Sequence, residues 1–256
     1  MKALVLAAGY GSRLSPLTDI LPKCLMPING TPLLHYWICD LLQAGANEIL
    51  INTHYKSEMV KDFVKNQFYN HKVEFVFEEK LLGTAGTLFK NKIFFQNTNF
   101  LVVHSDNYTD LNLNELKKFH LNFRPDIPFT ITTFFSNNPS QCGVVKTEDY
   151  ILKSFVEKPT FPETNLSNCA IYFFGDEFYN KVDNAENMKD ISVDLIPNFD
   201  GEIKCFHHDG FNIDIGTFDA FKRAQNIIQH KQCEPYVKSE LNEKYNTIFE
   251  LLEQRG

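Results

Sequence analysis

The stretch L6-A-A-G-Y-G-S-R-L-S-P-L-T-D-I-L-P-K23 decides the reading of this chain. The residues before and into it, Lys2 to Ala7, form an apolar run that predicts a strand buried on both faces. Gly9 and Gly11 then predict a tight turn whose backbone N–H groups can approach anionic oxygens. Two phosphate loops are excluded. The P-loop requires Lys-Ser or Lys-Thr after its glycines, and the dinucleotide fingerprint requires a third glycine where Leu14 stands. Pro16 opposes a long regular helix directly after the turn. What remains is a loop with cations of its own. Arg13 offers a planar fork for phosphate oxygens, and Lys23 offers a point charge.

Outward from this loop, the first half alternates. Strands are expected at 48–53, 73–77 and 100–105. Helices are expected through Leu33–Leu42, through Met59–Val64, from Thr84, and from Leu113. Such alternation predicts crossovers and a mostly parallel sheet. The second half changes character, with close-set strands at 129–135, 142–147, 151–157, 168–174 and 202–208. Helices follow at 214–229 and 242–254. The expectation is α/β: a Rossmann-like, mostly parallel central sheet flanked by helices, with a more antiparallel half. We read one domain over 1–256, with a nucleotide-type parallel half at 1–125, a more antiparallel half at 126–230 and a helical extension at 231–256. That closing helix is a candidate cover for the core or a candidate homodimer contact.

Composition narrows the function. The chain has 256 residues, 43% of them hydrophobic, enough for a large core. A net charge of -7 argues against a nucleic-acid binder. No apolar stretch is long enough to span a bilayer, so no membrane partner is expected. The six cysteines show no CxxC spacing, and the expectation is reduced thiols in a cytoplasmic protein.

The run Gly9-Tyr-Gly11-Ser12-Arg13-Leu14-Ser-Pro16-Leu17-Thr18-Asp-Ile-Leu-Pro22-Lys23 resembles the signature of the sugar-1-phosphate nucleotidyltransferases. The resemblance continues in order to about residue 225. It implies a transferase that joins a nucleoside monophosphate from an NTP to a sugar 1-phosphate, releasing pyrophosphate, for nucleotide-sugar and polysaccharide biosynthesis. Arg13 and Lys23 are the implied catalytic cations. Leu6, Ala8, Gly9, Gly11, Ser12 and Arg13 would hold the nucleotide, with Glu78, Gly83 and Thr84 of EEKLLGTAGTL near its base. A carboxylate there favours guanine, which presents a ring N–H and an amine on one edge, and so GTP. A uridylyl-, thymidylyl- or cytidylyltransferase, or a non-catalytic homologue, stays open. Asp106 and Asp214 are the implied Mg²⁺ ligands, from the segments HSD and NID. Asp106, Gly143, Glu157, Lys158 and Asn168 are the implied sugar-phosphate residues, and mannose or heptose 1-phosphate the implied acceptor. Ser105 stands where the family often has glycine, and Asn212 where it often has tryptophan. The segment HSDN lacks the D-x-D of related glycosyltransferases.

Overall fold

A computed structural model describes residues 1–122, 127–182, 185–199, 201–227, 233, 235–237 and 241–254. The strands, in chain order, are β1 (Lys2–Leu6), β2 (Pro27–Ile28), β3 (Thr31–Pro32), β4 (Glu48–Thr53), β5 (Val73–Phe77), β6 (Phe100–His104), β7 (Asn107–Thr109), β8 (Phe129–Phe135), β9 (Gly143–Glu148), β10 (Ile151–Glu157), β11 (Leu166–Phe174), β12 (Lys204–His207) and β13 (Asn212–Asp214). The helices are α1 (Leu17–Ile20), α2 (Leu33–Gln43), α3 (Ser57–Lys65), α4 (Thr84–Lys90), α5 (Lys92–Phe95), α6 (Leu113–Asn122), α7 (Phe218–Gln225) and α8 (Leu241–Gln254). The expected helix over 214–229 starts later, where Thr217 accepts from the Ala220 amide as an N-cap. Part of its expected C-terminal end lies outside the described residues.

These elements gather into two units that are interleaved in sequence. One comprises Met1–Leu4, Leu82–Val103 and Leu111–Phe211; the other comprises Val5–Leu81, His104–Asp110 and Asn212–Gly256.

In the first unit the strands run in the order β6-β11-β8-β12-β10-β9. β11 is antiparallel to both β6 and β8, and β10 is antiparallel to β12 and β9. The pairing of β12 with β8 is parallel, within a half that is otherwise antiparallel in these pairings, as expected. The core is aromatic because alternate residues of these strands point inward. Phe174 lies 4.9 Å from the Phe100 ring, 4.9 Å from Phe129 and 4.6 Å from Phe178. All four are fully buried. Burying each such side chain contributes about 1.5–3 kcal/mol.

In the second unit β4 and β5 pair in parallel from Ile49↔Val73 to Thr53↔Phe77. Of the four residues that its sequence spacing put on one face, the intervening α3 buries Val60, Phe63 and Val64 and leaves Met59 half-buried. Helix α2 buries Leu33, Leu34, Trp37, Ile38 and Leu41. It ends at Gly45, whose φ of 93° suits the left-handed turn that closes helices. The final helix α8 buries Leu241, Tyr245, Ile248 and Leu252 and packs against α1. The short ribbon β7–β13 was not foreseen from the sequence. Its register sets Asp214 opposite Asn107.

The expectation of six reduced thiols is corrected: Cys39 on α2 is joined to Cys233 by a disulfide. No CxxC spacing announces it, because the two residues stand 194 apart in sequence and only the tertiary fold brings their Cα atoms to 6.0 Å. Cys24, Cys142, Cys169 and Cys205 carry thiols outside any disulfide.

Candidate active site

The second unit assembles four charged side chains of the predicted set at one point. Lys23 Nζ donates to Asp106 Oδ2 at 2.5 Å and to Asp214 Oδ1 at 2.6 Å. Arg13 Nη2 reaches Asp214 Oδ2 at 3.5 Å. The ribbon explains the convergence of two aspartates that stand far apart in sequence. Asp214 faces Asn107 across β7–β13, and the Ile215 amide donates to the Asp106 carbonyl at 3.0 Å. The indole of Trp37 donates to the Asn107 carbonyl at 2.8 Å and anchors the ribbon to α2. Gly216 completes the corner. A Cβ on it would sit 2.9 Å from Arg13 Nη2, Asp214 Oδ1 and Lys23 Nζ alike, so no larger residue fits without moving the cluster.

Electrostatics follow from this packing. Burial opposes the charge on Lys23, but Asp106 and Asp214 outweigh it and hold its pKa above the ordinary lysine value. Burial likewise opposes the charge on Asp106, yet Lys23 and then His104 hold its carboxyl below the usual range. The lysine side chain is only 11% exposed, whereas those of Asp214 and Arg13 are 49% and 66% exposed. One partly sheltered cation therefore sits between two acids, with an exposed guanidinium at the rim.

The opening loop turns as its glycines predict. Gly11 has φ 66°, and its carbonyl accepts from the Leu14 amide at 2.9 Å and from Thr18 Oγ1 at 3.2 Å. Ser12 and Arg13 lie exposed in a single short turn of helix (Ser12–Leu14), and a cis Ser15–Pro16 bond separates it from the four-residue α1. Among the described residues nothing lies within 4 Å of a Cβ placed on Gly9, so the backbone there is open to a ligand. Leu6 is engaged structurally, its carbonyl accepting from the Ser105 amide at 3.0 Å.

Three residues missed by sequence reasoning support this loop. Asn52, buried on β4, accepts from the Ala7 amide at 2.7 Å and donates to Glu78 Oε1 at 2.9 Å. It ties the loop next to Ala8 to the carboxylate predicted to meet a base. His54 Nδ1 lies 2.7 Å from the Glu78 carbonyl, and its Nε2 lies 2.7 Å from Tyr10 Oη. A carbonyl only accepts, so Nδ1 carries the proton and Nε2 accepts from the tyrosine. Tyr10 is thereby held half exposed beside the open Gly9. The available signal was a polar Asn within the apolar strand EILINT.

The remaining predicted residues belong to the first unit. Gly83 has φ 79°, and a Cβ on it would strike the Lys189 carbonyl, so its glycine requirement is met within this unit. Thr84 Oγ1 accepts from the Ile191 amide at 2.7 Å and donates to Asp190 Oδ2 at 3.3 Å. A Cβ on Gly143 would collide with the Phe155 ring and lie 2.9 Å from Glu157 Oε2. Lys158, at φ 46°, lies 3.3 Å from Glu157 Oε1. Asn168 donates to Tyr172 Oη at 2.9 Å and accepts from the Ala170 amide at 3.1 Å, fixing a bulge in β11. Gly143, Glu157 and Lys158 thus form one group of neighbours.

Known proteins share this architecture. The family model for nucleotidyl transferases matches residues 2–231. A mannose-1-phosphate guanyltransferase of Aspergillus oryzae is 32% identical over 225 residues, covering 84% of this chain and 61% of its own length. A D-glycero-alpha-D-manno-heptose 1-phosphate guanylyltransferase of Aneurinibacillus thermoaerophilus is 27% identical over 233 residues, covering 90% of this chain and 99% of its own. The crystal structure of HddC from Yersinia pseudotuberculosis superposes with a TM-score of 0.72 at 24% identity, over 88% of this chain and 98% of that one. The chain therefore spans about three-fifths of the fungal relative and nearly the whole of the bacterial one.

Proposed function

Because the chain belongs to the nucleotidyl transferase family and has the mixed α/β fold of the nucleotide-diphospho-sugar transferases, we propose that it transfers the guanylyl group of GTP to a mannose- or heptose-type sugar 1-phosphate, releasing pyrophosphate. The observation that carries this reading is the meeting of Arg13, Lys23, Asp106 and Asp214 in one cluster. The names of two relatives, both guanylyltransferases, support the base and the class of sugar.

The obstacle in such a reaction is the approach of two anions. The attacking phosphate oxygen is already charged, so no protein base and no covalent intermediate are required. Positioning and neutralisation carry the rate. Arg13, exposed and forked, suits the departing β,γ-phosphates. Lys23, whose charge the two acids favour, suits the point where the α-phosphate and its attacker meet. In the first unit, Glu157 and Asn168 supply acceptors and Lys158 a cation for the sugar phosphate.

Asp106 and Asp214 suit Mg²⁺. Contacts of 2.5 and 2.6 Å to one nitrogen place their oxygens within about 5 Å of each other, and hard oxygen donors are what this ion takes. When bound, it would neutralise and orient phosphate oxygens. Glu78, set by Asn52, is the proposed acceptor for the guanine edge. GTP is an intracellular nucleotide, which supports a cytoplasmic setting and a role in supplying sugar donors for polysaccharide assembly.

The test is pyrophosphate release over a grid of five NTPs and several sugar 1-phosphates, with and without Mg²⁺. GTP is expected to rank first. If UTP or dTTP ranks above it, the assignment of Glu78 fails while the phosphate cluster stands. In the same assay Lys23→Ala and Asp106→Asn should each cost about 3 kcal/mol of barrier, roughly a hundredfold, in folded protein. Near-normal turnover in either variant at saturating Mg²⁺ contradicts the roles of Lys23 and Asp106.

A further inference from the structure

We propose that His35, Cys39 and Cys233 form a seat for a thiolate-binding divalent ion of the zinc class, available when the Cys39–Cys233 bond is opened. One nitrogen and two sulfurs from these residues all lie within 4.8 Å of one another. His35 and Cys39 stand four apart on α2 and so share a face of the helix. His35 Nε2 is 3.6 Å from Cys39 Sγ. A tetrahedral ion with a Zn–N bond of about 2.0–2.1 Å and a Zn–S bond of about 2.3 Å sets an N···S edge of roughly 3.6 Å, so this pair already has the required spacing.

The surroundings fit the same role. His35 is completely buried, and its other nitrogen, Nδ1, lies 2.9 Å from the hydroxyl of the equally buried Tyr69. An outer partner of that kind leaves Nε2 as the ligand and fixes the plane of the ring, with Nδ1–H donating to the tyrosine oxygen. The Cys233 side is held independently of the sulfur bond. The Val237 amide donates to Gln67 Oε1 at 2.9 Å, and Gln67 Nε2 donates back to the Val237 carbonyl at 3.3 Å. Tyr236 Oη donates to the Gly30 carbonyl at 2.8 Å, with its ring 5.7 Å from that of His35. This stitching keeps Cys233 within reach of Cys39 after reduction. Two sulfurs and an imidazole are a soft donor set, unlike the all-oxygen pair Asp106 and Asp214, and the fourth tetrahedral position is left to water.

The disulfide and the metal seat are alternative states of the same atoms. A dithiol reductant supplies two electrons and two protons, becoming a disulfide itself and leaving Cys39 and Cys233 as thiols. Each thiol then loses its proton as its sulfur binds the ion, so two protons are released per ion bound.

The full chain, reduced with a dithiol and desalted without oxygen, is titrated with Co²⁺ in excess Mg²⁺, which keeps the carboxylates occupied. One Co²⁺ per chain is expected, with thiolate-to-cobalt charge-transfer absorption that Zn²⁺ abolishes by displacement. Cys39→Ser and Cys233→Ser should each lose that absorption, and Tyr69→Phe should keep it while binding about tenfold more weakly. In the unmutated protein Zn²⁺ should slow alkylation of Cys39 and Cys233 together, an outcome that does not depend on any variant folding. The proposal is overturned if stoichiometric Co²⁺ gives no charge-transfer band, if the band survives in Cys233→Ser, or if Zn²⁺ leaves alkylation of both thiols unchanged.

Discussion

Replacing Gly216 by alanine tests whether the charged cluster is a working site or only a set of ion pairs. Gly216 is buried, its amide donates to Asp214 Oδ1 at 2.8 Å, and its backbone lies outside the left-handed region. The added methyl would lie 2.9 Å from Arg13 Nη2, Asp214 Oδ1 and Lys23 Nζ, whereas ordinary contact begins at 3.4 Å. Each charged end must therefore retreat by about half an ångström or more. All three are tips of flexible side chains, so the fold should absorb the change. Removing a glycine also restricts the unfolded chain, which favours folding by about 0.4–1 kcal/mol. Catalysis should not absorb it, because a displacement approaching 1 Å at a preorganised site costs on the order of a hundredfold, about 2.7 kcal/mol of barrier. The assay pairs pyrophosphate release at saturating substrates and Mg²⁺ with a thermal melt. The expected result is a melting temperature equal to or above that of the parent and turnover down about a hundredfold. Turnover within about threefold of the parent, in folded protein, would refute the claim that this arrangement of charges does the chemistry.

Asn52→Ala removes a buried side chain that satisfies both the Ala7 amide and Glu78, and should lower stability by about 2–4 kcal/mol in urea denaturation. A loss under about 0.5 kcal/mol means that the loop does not depend on this bridge. Burial, opposed weakly by Asp176, lowers His120 to about 4, against an ordinary value near 6.5. The unfolded chain then takes up a proton before the native state does. Stability is complete above about pH 6.5 and falls as the pH drops toward about 4, by about 2 kcal/mol between pH 7 and pH 5. Denaturation across that range should show this slope in the parent and a flatter one in His120→Gln; equal slopes would assign the acid sensitivity to other groups.

Much of the fold was legible because its signals are local. The spacing of Val60, Phe63 and Val64 marked α3, and the runs at 129–135 and 151–157 became β8 and β10 with those bounds. The helix after the opening loop runs only four residues, ending where Leu21, the residue before Pro22, turns extended. The charged residues were legible for a related reason: Arg13 and Lys23 share one continuous signature. The parallel pairing of β12 with β8 was not legible, since strand direction within a sheet depends on where the chain re-enters, which no local pattern encodes. Asn52, His54 and Tyr10 escaped notice because each matters through a partner distant in sequence.

By itself the sequence determined which side chains are available for phosphate chemistry, since charge and hydrogen-bonding capacity belong to residues. It also determined where strands and helices form, since periodicity and backbone restriction act over a few positions. Only the tertiary structure decided that Lys23 lies between Asp106 and Asp214, which a three-residue ribbon too short to leave a pattern brings together, and that Cys39 and Cys233 meet beside His35. Both are encounters between segments more than a hundred residues apart. Such encounters are set by the packing of the whole core, where no single stretch carries the information.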